Sequence, residues 1–226
     1  MTHFSPQIQF SRITKSYLQK EPVFRDASLS IGSGEFLYLT GASGSGKTTL
    51  FRLLMGVEQA DAGEVNFEGR AVVDLKLRER PYHLRRFGVV FQDYKLLGHK
   101  TAKENISIPL LIKGELFAEV SHKVADLAER LGFSQLLDSP VCSMSGGEQQ
   151  LIAIARAYIH NPAVILADEP TANLDSQTAE ITLEILRKIN RGGTTVVLAT
   201  HNLDLIQRHP ARTLLIRQSK ILEVQR

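Results

Sequence analysis

The chain has 226 residues, 43% of them hydrophobic, which is enough to form one large domain or one domain with an inserted lobe. Its 27 basic and 24 acidic residues leave a net charge of +3, too small an excess to indicate nucleic-acid binding. The single cysteine, Cys142, excludes an intrachain disulfide and favours a reducing compartment. Neither a signal peptide nor an apolar run near the roughly 20 residues of a membrane span is visible. The sequence therefore predicts a cytoplasmic protein that would reach a membrane only through a partner.

The first segments alternate hydrophobic and polar residues in the manner of β-strands. They are "IQFSRI", "FRDASLSI" and "EFLYLT", and they predict an antiparallel, half-exposed patch. The glycine-rich "GASGSGKTT" then leads into a predicted helix, "LFRLLMG". After it, "EVNFEG" predicts a short strand and "FGVVFQ" a buried one.

A helical block follows, from Thr101 to about His160. Its predicted helices are "ENISIPLLIKG", "EVSHKVADLAERLG" and "EQQLIAIARAYI", separated by Gly114, Gly132 and Pro140. Strands and helices then alternate in "AVILADE", "TAEITLEILRKIN", "TTVVLATH" and "RTLLIRQ", which is typical of parallel α/β construction. The sequence thus predicts an α/β fold with a mixed sheet, an antiparallel β patch and an inserted helical lobe.

The segment "GASGSGKT" fits the phosphate-loop pattern G-x-x-x-x-G-K-[ST], between a predicted strand and a predicted helix. In such a loop, backbone N–H groups surround phosphate oxygens, Lys47 neutralises the terminal phosphates, and the Thr48 hydroxyl reaches Mg²⁺. A glycine-serine turn is the alternative interpretation, which the flanking strand and helix disfavour. The nucleotide-binding residues predicted here are Gly41, Ala42, Ser43, Gly44, Ser45, Gly46, Lys47, Thr48 and Thr49.

The apolar segment "AVILADE" ends in two acidic residues, at the sheet edge where parallel α/β proteins bind ligands. We expect Asp168 to hold the metal and Glu169 to act as general base or to orient the attacking water. A solvated acidic turn would have the same sequence. The phosphate loop in the same chain favours the catalytic interpretation.

Three isolated residues are further candidates. His201 follows the strand "TTVVLAT" and could hydrogen-bond the terminal phosphate or the attacking water. The amide of Gln92 could contact both Mg²⁺ and water, and Tyr17 could stack on adenine. Taken singly, each is more typical of a structural or surface residue.

The segment "SGGEQ" has the spacing of a helix capping box, formed by Ser145 and Glu148. A capping box does not account for Gly146 and Gly147 in the first turn, where glycine is an unfavourable helix former. We therefore expect another group to approach this helix start closely.

Together, "GASGSGKT", Gln92, "SGGEQ", "ILADEPTANLD" and His201 resemble, in this order, the motifs of the ATP-binding-cassette family across essentially the whole chain. The resemblance implies a P-loop NTPase fold of the ABC ATPase type, a Mg²⁺-dependent ATPase with ATP and Mg²⁺ as cofactors. It also implies a core lobe, residues 1–92 and 161–226, and a helical lobe at about 93–160.

The resemblance further implies an ATP-dependent homodimer in which two subunits clamp two ATP molecules head to tail. Ser145, Gly146, Gly147 and Glu148 would then face the ATP held by the other subunit, through backbone N–H groups and a helix dipole. Asp175, in "ANLD", matches the loop that touches the opposite subunit. Tyr17 matches the adenine-stacking position.

Within the family, "VVFQDYKLL" and "TAKENISIPLLIKG" are most similar to the cell-division member, especially at Asp93, Tyr94 and Lys95. That resemblance implies a peripheral protein at the cytoplasmic face of the inner membrane, with an integral membrane partner that relays ATP hydrolysis to cell-wall hydrolases. Two features depart from the family pattern: Leu151 replaces the usual arginine, and "GHK" replaces a proline-led turn.

Two alternatives remain at the level of sequence. One is the ATPase of a lipoprotein-release or macrolide-type exporter, which shares the remaining motifs. The other is a soluble ATP-driven clamp in DNA repair or cofactor assembly. Repair clamps that resemble the family carry long insertions between the phosphate loop and the "SGGEQ" motif, and this interval is short here.

Overall fold

A computed structural model of the chain describes residues 6–18 and 21–224. The strands in these residues are β1 (Ile8–Lys15), β2 (Phe24–Ile31), β3 (Phe36–Thr40), β4 (Ala62–Phe67), β5 (Arg70–Ala71), β6 (Phe87–Val90), β7 (Val164–Asp168), β8 (Thr195–Ala199), β9 (Arg212–Arg217) and β10 (Lys220–Glu223). The helices are α1 (Lys47–Leu54), α2 (Arg80–Leu84), α3 (Ala102–Ile112), α4 (Phe117–Leu131), α5 (Gly146–Tyr158), α6 (Ser176–Arg191) and α7 (Leu203–Arg208).

The larger sheet has six strands in the order β10-β9-β3-β8-β7-β6. Its five strands from β9 to β6 run parallel, and β10 pairs antiparallel with β9. The carboxyl ends of parallel strands lie at one edge of a sheet, where α/β proteins bind ligands. The phosphate loop after β3, the acidic pair at the end of β7 and His201 after β8 therefore share one edge.

The smaller sheet is antiparallel, with the order β2-β1-β4-β5. The prediction of an antiparallel patch is confirmed for "IQFSRI" and "FRDASLSI", which form β1 and β2. It is wrong for "EFLYLT", which forms β3 between β8 and β9 of the parallel sheet. The reason is burial on both faces, since Leu37, Tyr38 and Leu39 are all fully buried.

The helices α3, α4 and α5 enclose a hydrophobic core of their own, to which Ile106, Val124 and Ile152 contribute. A different side of α5 faces the parallel sheet, where Ile154 and Ala157 join the core formed by β7, β8 and α6. Thus α5 belongs to the helical block and also joins it to the sheet.

The three helices predicted between Thr101 and His160 are confirmed, as are the predicted helices that became α1 and α6. The capping box predicted at Ser145 is also confirmed: the Glu148 N–H donates to Ser145 Oγ at 3.3 Å, and the Ser145 N–H donates to Glu148 Oε2 at 2.8 Å. The short elements β5, α2, α7 and β10 were not predicted. No helix in the described residues is both long and apolar enough to cross a membrane.

Candidate active site

The loop between β3 and α1 curls through three glycines with positive φ: Gly41 (151°), Gly44 (75°) and Gly46 (114°). At Gly46, a Cβ would lie 2.4 Å from Val23 Cγ1, so only glycine fits this position without displacing its neighbours. The loop leads directly into the N-terminus of α1, whose backbone N–H groups favour an anion. Ser45 Oγ is buried here without a hydrogen-bond partner among the described residues. These features fit a phosphate group.

Lys47 is held inside the loop. Its ammonium donates to the carbonyl oxygens of Gly41 at 2.9 Å and Ala42 at 3.3 Å, and it lies 3.7 Å from Glu169 Oε1. The lysine is only 8% exposed, so its charge is fixed in position instead of moving freely in solvent. A fixed, desolvated cation in a phosphate-binding loop is suited to neutralise a polyphosphate.

Thr48 and Asp168 come together from α1 and the end of β7. The Thr48 hydroxyl donates to Asp168 Oδ2 at 2.6 Å. Gln92 lines the same cleft. A hydroxyl, a carboxylate and an amide oxygen form a hard, all-oxygen donor set, which suits Mg²⁺ because this ion is usually held by one or two carboxylates together with substrate phosphates.

Glu169 and His201 form a second pair. His201 Nδ1 lies 2.9 Å from Glu169 Oε1, and the backbone N–H of His201 donates to Glu169 Oε2 at 3.3 Å. Glu169 is 9% exposed and has a positive φ of 49°, an uncommon conformation for a non-glycine residue. Two contacts from one neighbour thus fix the orientation of a buried carboxylate at the cleft.

Tyr17 lies at one wall of the cleft, with its hydroxyl bonded to Thr49 and Glu58. Burial acts to raise the pKa of Glu58, but hydrogen bonds from Tyr17 and Arg52 outweigh it and hold that pKa below its ordinary value. The Lys15 ammonium lies 5.4 Å from the centroid of the Tyr17 ring. The aromatic ring is therefore fixed in place beside the loop, as stacking on a base requires.

One cleft of about 600 Å³ collects most of the predicted site residues. It is lined by Tyr17, Val23, Ser43, Gly44, Ser45, Gly46, Lys47, Thr48, Thr49, Gln92, Asp168, Glu169 and His201. Gly41 and Ala42 do not line the cleft, but they contribute the carbonyls that hold Lys47. Val23 was not predicted, because an isolated valine before a strand carries no signal in the sequence.

The remaining predicted residues, Ser145, Gly146, Gly147, Glu148 and Asp175, are not part of this cleft. Ser145 and Gly146 are exposed at the start of α5. The Ser145 hydroxyl and backbone N–H both bond Glu148, and these hydrogen bonds lower the pKa of the Glu148 carboxyl. The acid is therefore ionised at the positive end of the α5 dipole.

The two glycines of this helix start are approached from within the chain. A Cβ on Gly147 would lie 2.4 Å from Cγ2 of Thr178 in α6, and a Cβ on Gly146 would lie 3.2 Å from the Tyr94 hydroxyl. Intrachain packing thus accounts for the missing side chain at Gly147. The approach of a second subunit's ATP to this helix start stays a prediction.

Asp175 is the N-cap of α6. Its carboxylate accepts hydrogen bonds from the Thr178 hydroxyl at 2.6 Å and the Thr178 N–H at 3.0 Å, which lower the pKa of Asp175. The side chain is exposed, so it is accessible to another molecule as well as capping its own helix.

Comparison with known proteins places this geometry in a family. The family model described as "ABC transporter" matches residues 24–172. The chain therefore belongs to the ATP-binding-cassette family, and it is an ATPase of that class.

Among curated proteins, the chain is similar to the cell division ATP-binding protein FtsE of Escherichia coli (strain K12). The two are 39% identical over 207 residues, which cover 92% of this chain and 93% of the relative. FtsE of Mycobacterium tuberculosis (strain ATCC 25618 / H37Rv) is also 39% identical, over 88% of this chain and 87% of the relative. The predicted family and its FtsE-like branch are confirmed.

Solved structures of other ATP-binding-cassette proteins have the same fold. The ATP-binding cassette MJ0796, a dimer in a post-hydrolysis state bound to ADP and Pi, superposes with a TM-score of 0.85 at 31% identity, covering 96% of this chain and 98% of the other. The protein cbiO1 from Clostridium perfringens, part of the ABC transporter complex cbiONQ, has a TM-score of 0.88 at 23% identity over 96% and 87% of the two chains, and so supports the fold alone. The predicted fold class is confirmed.

Proposed function

We propose that this ATPase is Mg²⁺-dependent and works as an ATP-dependent homodimer that drives a membrane partner in cell division. The observation that carries the proposal is the convergence of Lys47, Thr48, Asp168, Glu169 and His201 in one cleft at the carboxyl edge of the parallel sheet. These side chains supply the charges and hydrogen bonds that phosphoryl transfer from ATP requires.

The roles we assign follow from the contacts. Lys47, fixed by two carbonyls, neutralises the terminal phosphates. Thr48, Asp168 and Gln92 would hold Mg²⁺, which would offset the negative charge of the phosphates. Glu169 orients and deprotonates the attacking water, and His201 keeps the Glu169 carboxylate pointed at the cleft. Tyr17 stacks on the adenine.

A dimer completes the site. Ser145, Gly146, Gly147, Glu148 and Asp175 lie outside the cleft of their own chain, and Ser145, Gly146 and Asp175 are exposed. The start of α5 offers free backbone N–H groups and a positive dipole end, a fitting surface for the phosphates bound by a second subunit. The dimeric cassette MJ0796 supports this arrangement.

For the membrane partner, the similarity to FtsE supports a protein resembling FtsX, with this chain at the cytoplasmic face of the inner membrane. Exposed apolar side chains on the helical lobe, about residues 93–160, include Leu97 (44% exposed), Leu116 (70%) and Phe117 (71%), and Phe91 beside Gln92 is 40% exposed. Apolar surface of this kind is suited to a protein partner. In the proposed assembly ATP hydrolysis controls cell-wall hydrolases outside, and no substrate crosses the membrane.

The test uses Glu169→Gln. An amide at this position cannot accept a proton from the attacking water, so hydrolysis should fall on the order of 100-fold while ATP still binds. Size-exclusion chromatography with ATP and Mg²⁺ should then show a dimer, which reverts to monomer with EDTA. A variant that remains monomeric at every ATP concentration, alone and with an FtsX-like partner, would contradict the shared site.

A further inference from the structure

The segment that follows Gln92 has an unusual backbone. Tyr94 and Lys95 both have positive φ, 57° and 49°, so two consecutive non-glycine residues are left-handed. The turn is tight, because the Lys95 N–H donates to the Asp93 carbonyl at 2.5 Å and the Lys95 ammonium pairs with the Asp93 carboxylate at 2.6 Å. The left-handed conformation is energetically costly for an L-residue, so two such residues in succession need stabilising contacts.

Arg156 of α5 supplies that enforcement. One guanidinium nitrogen donates to the Tyr94 carbonyl at 2.8 Å and the other to the Lys95 carbonyl at 2.7 Å. Because one planar guanidinium binds both carbonyls, the two strained peptides are fixed in a single orientation relative to each other. These hydrogen bonds therefore attach the strained turn to α5, the helix that begins at the "SGGEQ" motif.

The Tyr94 side chain reaches the start of α5. Its hydroxyl lies 3.2 Å from the position that a Cβ on Gly146 would occupy, and Gly146 is the first residue of α5. Among the described residues the hydroxyl has no hydrogen-bond partner. A phenol O–H thus lies unpaired beside the free backbone N–H groups of a helix N-terminus.

We propose that Tyr94 is a further ligand of the ATP held by the second subunit. Its O–H donates to a phosphate oxygen at the start of α5, beside Ser145 and the first backbone N–H groups. A hydrogen bond from this hydroxyl to a phosphate oxygen is a strong one, because hydrogen bonds to ionised oxygens are among the strongest in proteins. This inference rests on the proposed dimeric function, since a monomer leaves the hydroxyl unpaired.

Arg156 is then a positioning residue. It touches no nucleotide in this arrangement, and it acts by holding the two strained peptides that aim the Tyr94 ring. Because Gln92 lines the cleft of its own chain and Tyr94 is only two residues away, one short segment contacts both ATP sites of the dimer.

The decisive experiment compares Tyr94→Phe with its parent in the Glu169→Gln background, using sedimentation velocity with ATP and Mg²⁺ to measure dimerisation. One hydrogen bond to an ionised group contributes about tenfold in affinity, and the dimer contains two, so dimerisation should weaken by about 10- to 100-fold. Binding of a fluorescent ATP analogue to the monomer and thermal stability should not change, since the hydroxyl has no partner among the described residues of its own chain. Tyr82→Phe is the matched control, because it removes an exposed phenol hydroxyl on α2.

Equal dimerisation of the Tyr94→Phe variant and its parent would overturn the inference and leave the proposed function intact. Failure of the Glu169→Gln parent itself to dimerise, both alone and with an FtsX-like partner, would overturn both. Arg156→Lys, which loses the two-pronged geometry, should weaken dimerisation without lowering monomer ATP affinity. Combined with Tyr94→Phe it should add little, because both changes remove the same contact. Fully additive effects would refute the positioning role of Arg156.

Discussion

Replacing Gly147 with alanine should destabilise the chain, although alanine is the better helix former. The new Cβ would lie 2.4 Å from Thr178 Cγ2, where neither group can remain. Thr178 is not free to rotate away, because its hydroxyl and its N–H both bond the Asp175 carboxylate that caps α6. Either the cap or the contact between α5 and α6 must give way.

The size of the effect follows from two opposing terms. Inserting a methyl group into a packed site typically costs roughly 1 to 3 kcal/mol. Glycine to alanine in a helix interior gains up to about 1 kcal/mol, and less in the first turn. We therefore expect the free energy of unfolding to fall by about 1 to 2 kcal/mol, which urea denaturation followed by circular dichroism measures readily.

A second substitution provides the control. Thr178→Ser removes Cγ2 but keeps the hydroxyl that bonds Asp175. In the double variant the nearest atoms of the residue 178 side chain, Oγ and Cβ, would lie 3.6 and 3.7 Å from the Cβ added to Gly147, which is ordinary contact. Stability should return to that of Thr178→Ser alone. A Gly147→Ala protein as stable as the parent, or a double variant that is not rescued, would refute the packing argument.

The remaining predictions concern the cleft, the shared site and pH. Lys47→Ala should abolish ATP binding in a fluorescence titration, because Lys47 is the sole cation of the loop; near-normal affinity would count against the phosphate-loop assignment. Gly146→Asp should leave monomer ATP affinity intact but suppress hydrolysis by repelling the partner's phosphate, whereas an unmodified rate in a coupled phosphate-release assay would contradict the shared site. Burial lowers the pKa of His83 below its ordinary value of 6.5, so folding favours the neutral ring. The stability that His83 contributes is therefore fully present above about pH 6.5 and is lost as the pH falls toward the pKa of the folded state. His83→Gln, whose amide can still donate to the Leu54 carbonyl, should lose less stability between about pH 7 and pH 5, and equal slopes would refute this.

Several helices were predictable because their signals are local. The helices α4 and α6 have an apolar face at helical spacing. The start of α5 is indicated by the capping-box spacing of Ser145 and Glu148. The strand β3 was placed in the wrong sheet for a physical reason. Its neighbours β8 and β9 come from the far end of the chain, and a short run of apolar residues does not identify its partners.

The cleft was predictable to the extent that motifs define it. Asp168 ends β7, and the phosphate loop, Glu169 and His201 each come just after a strand. Parallel strands bring their carboxyl ends together. The contacts of Arg156 were not predictable, since an arginine near the end of a helix has no sequence signal for the two carbonyls that it binds. The short helices α2 and α7 were missed because five or six residues carry too little periodicity.

The two glycines at the start of α5 connect these observations. Each receives a contact from a segment that begins at a residue of the cleft: Tyr94, two residues after Gln92, lies against Gly146, and Thr178, nine residues after Glu169, lies against Gly147. A side chain on either glycine would hold that segment away from the helix. The missing side chains thus allow both segments to pack against one helix turn, where Tyr94 and Thr178 lie 3.2 and 2.4 Å from the missing Cβ positions. In the proposed dimer this turn faces the second subunit, so one helix start lies between the two ATP sites.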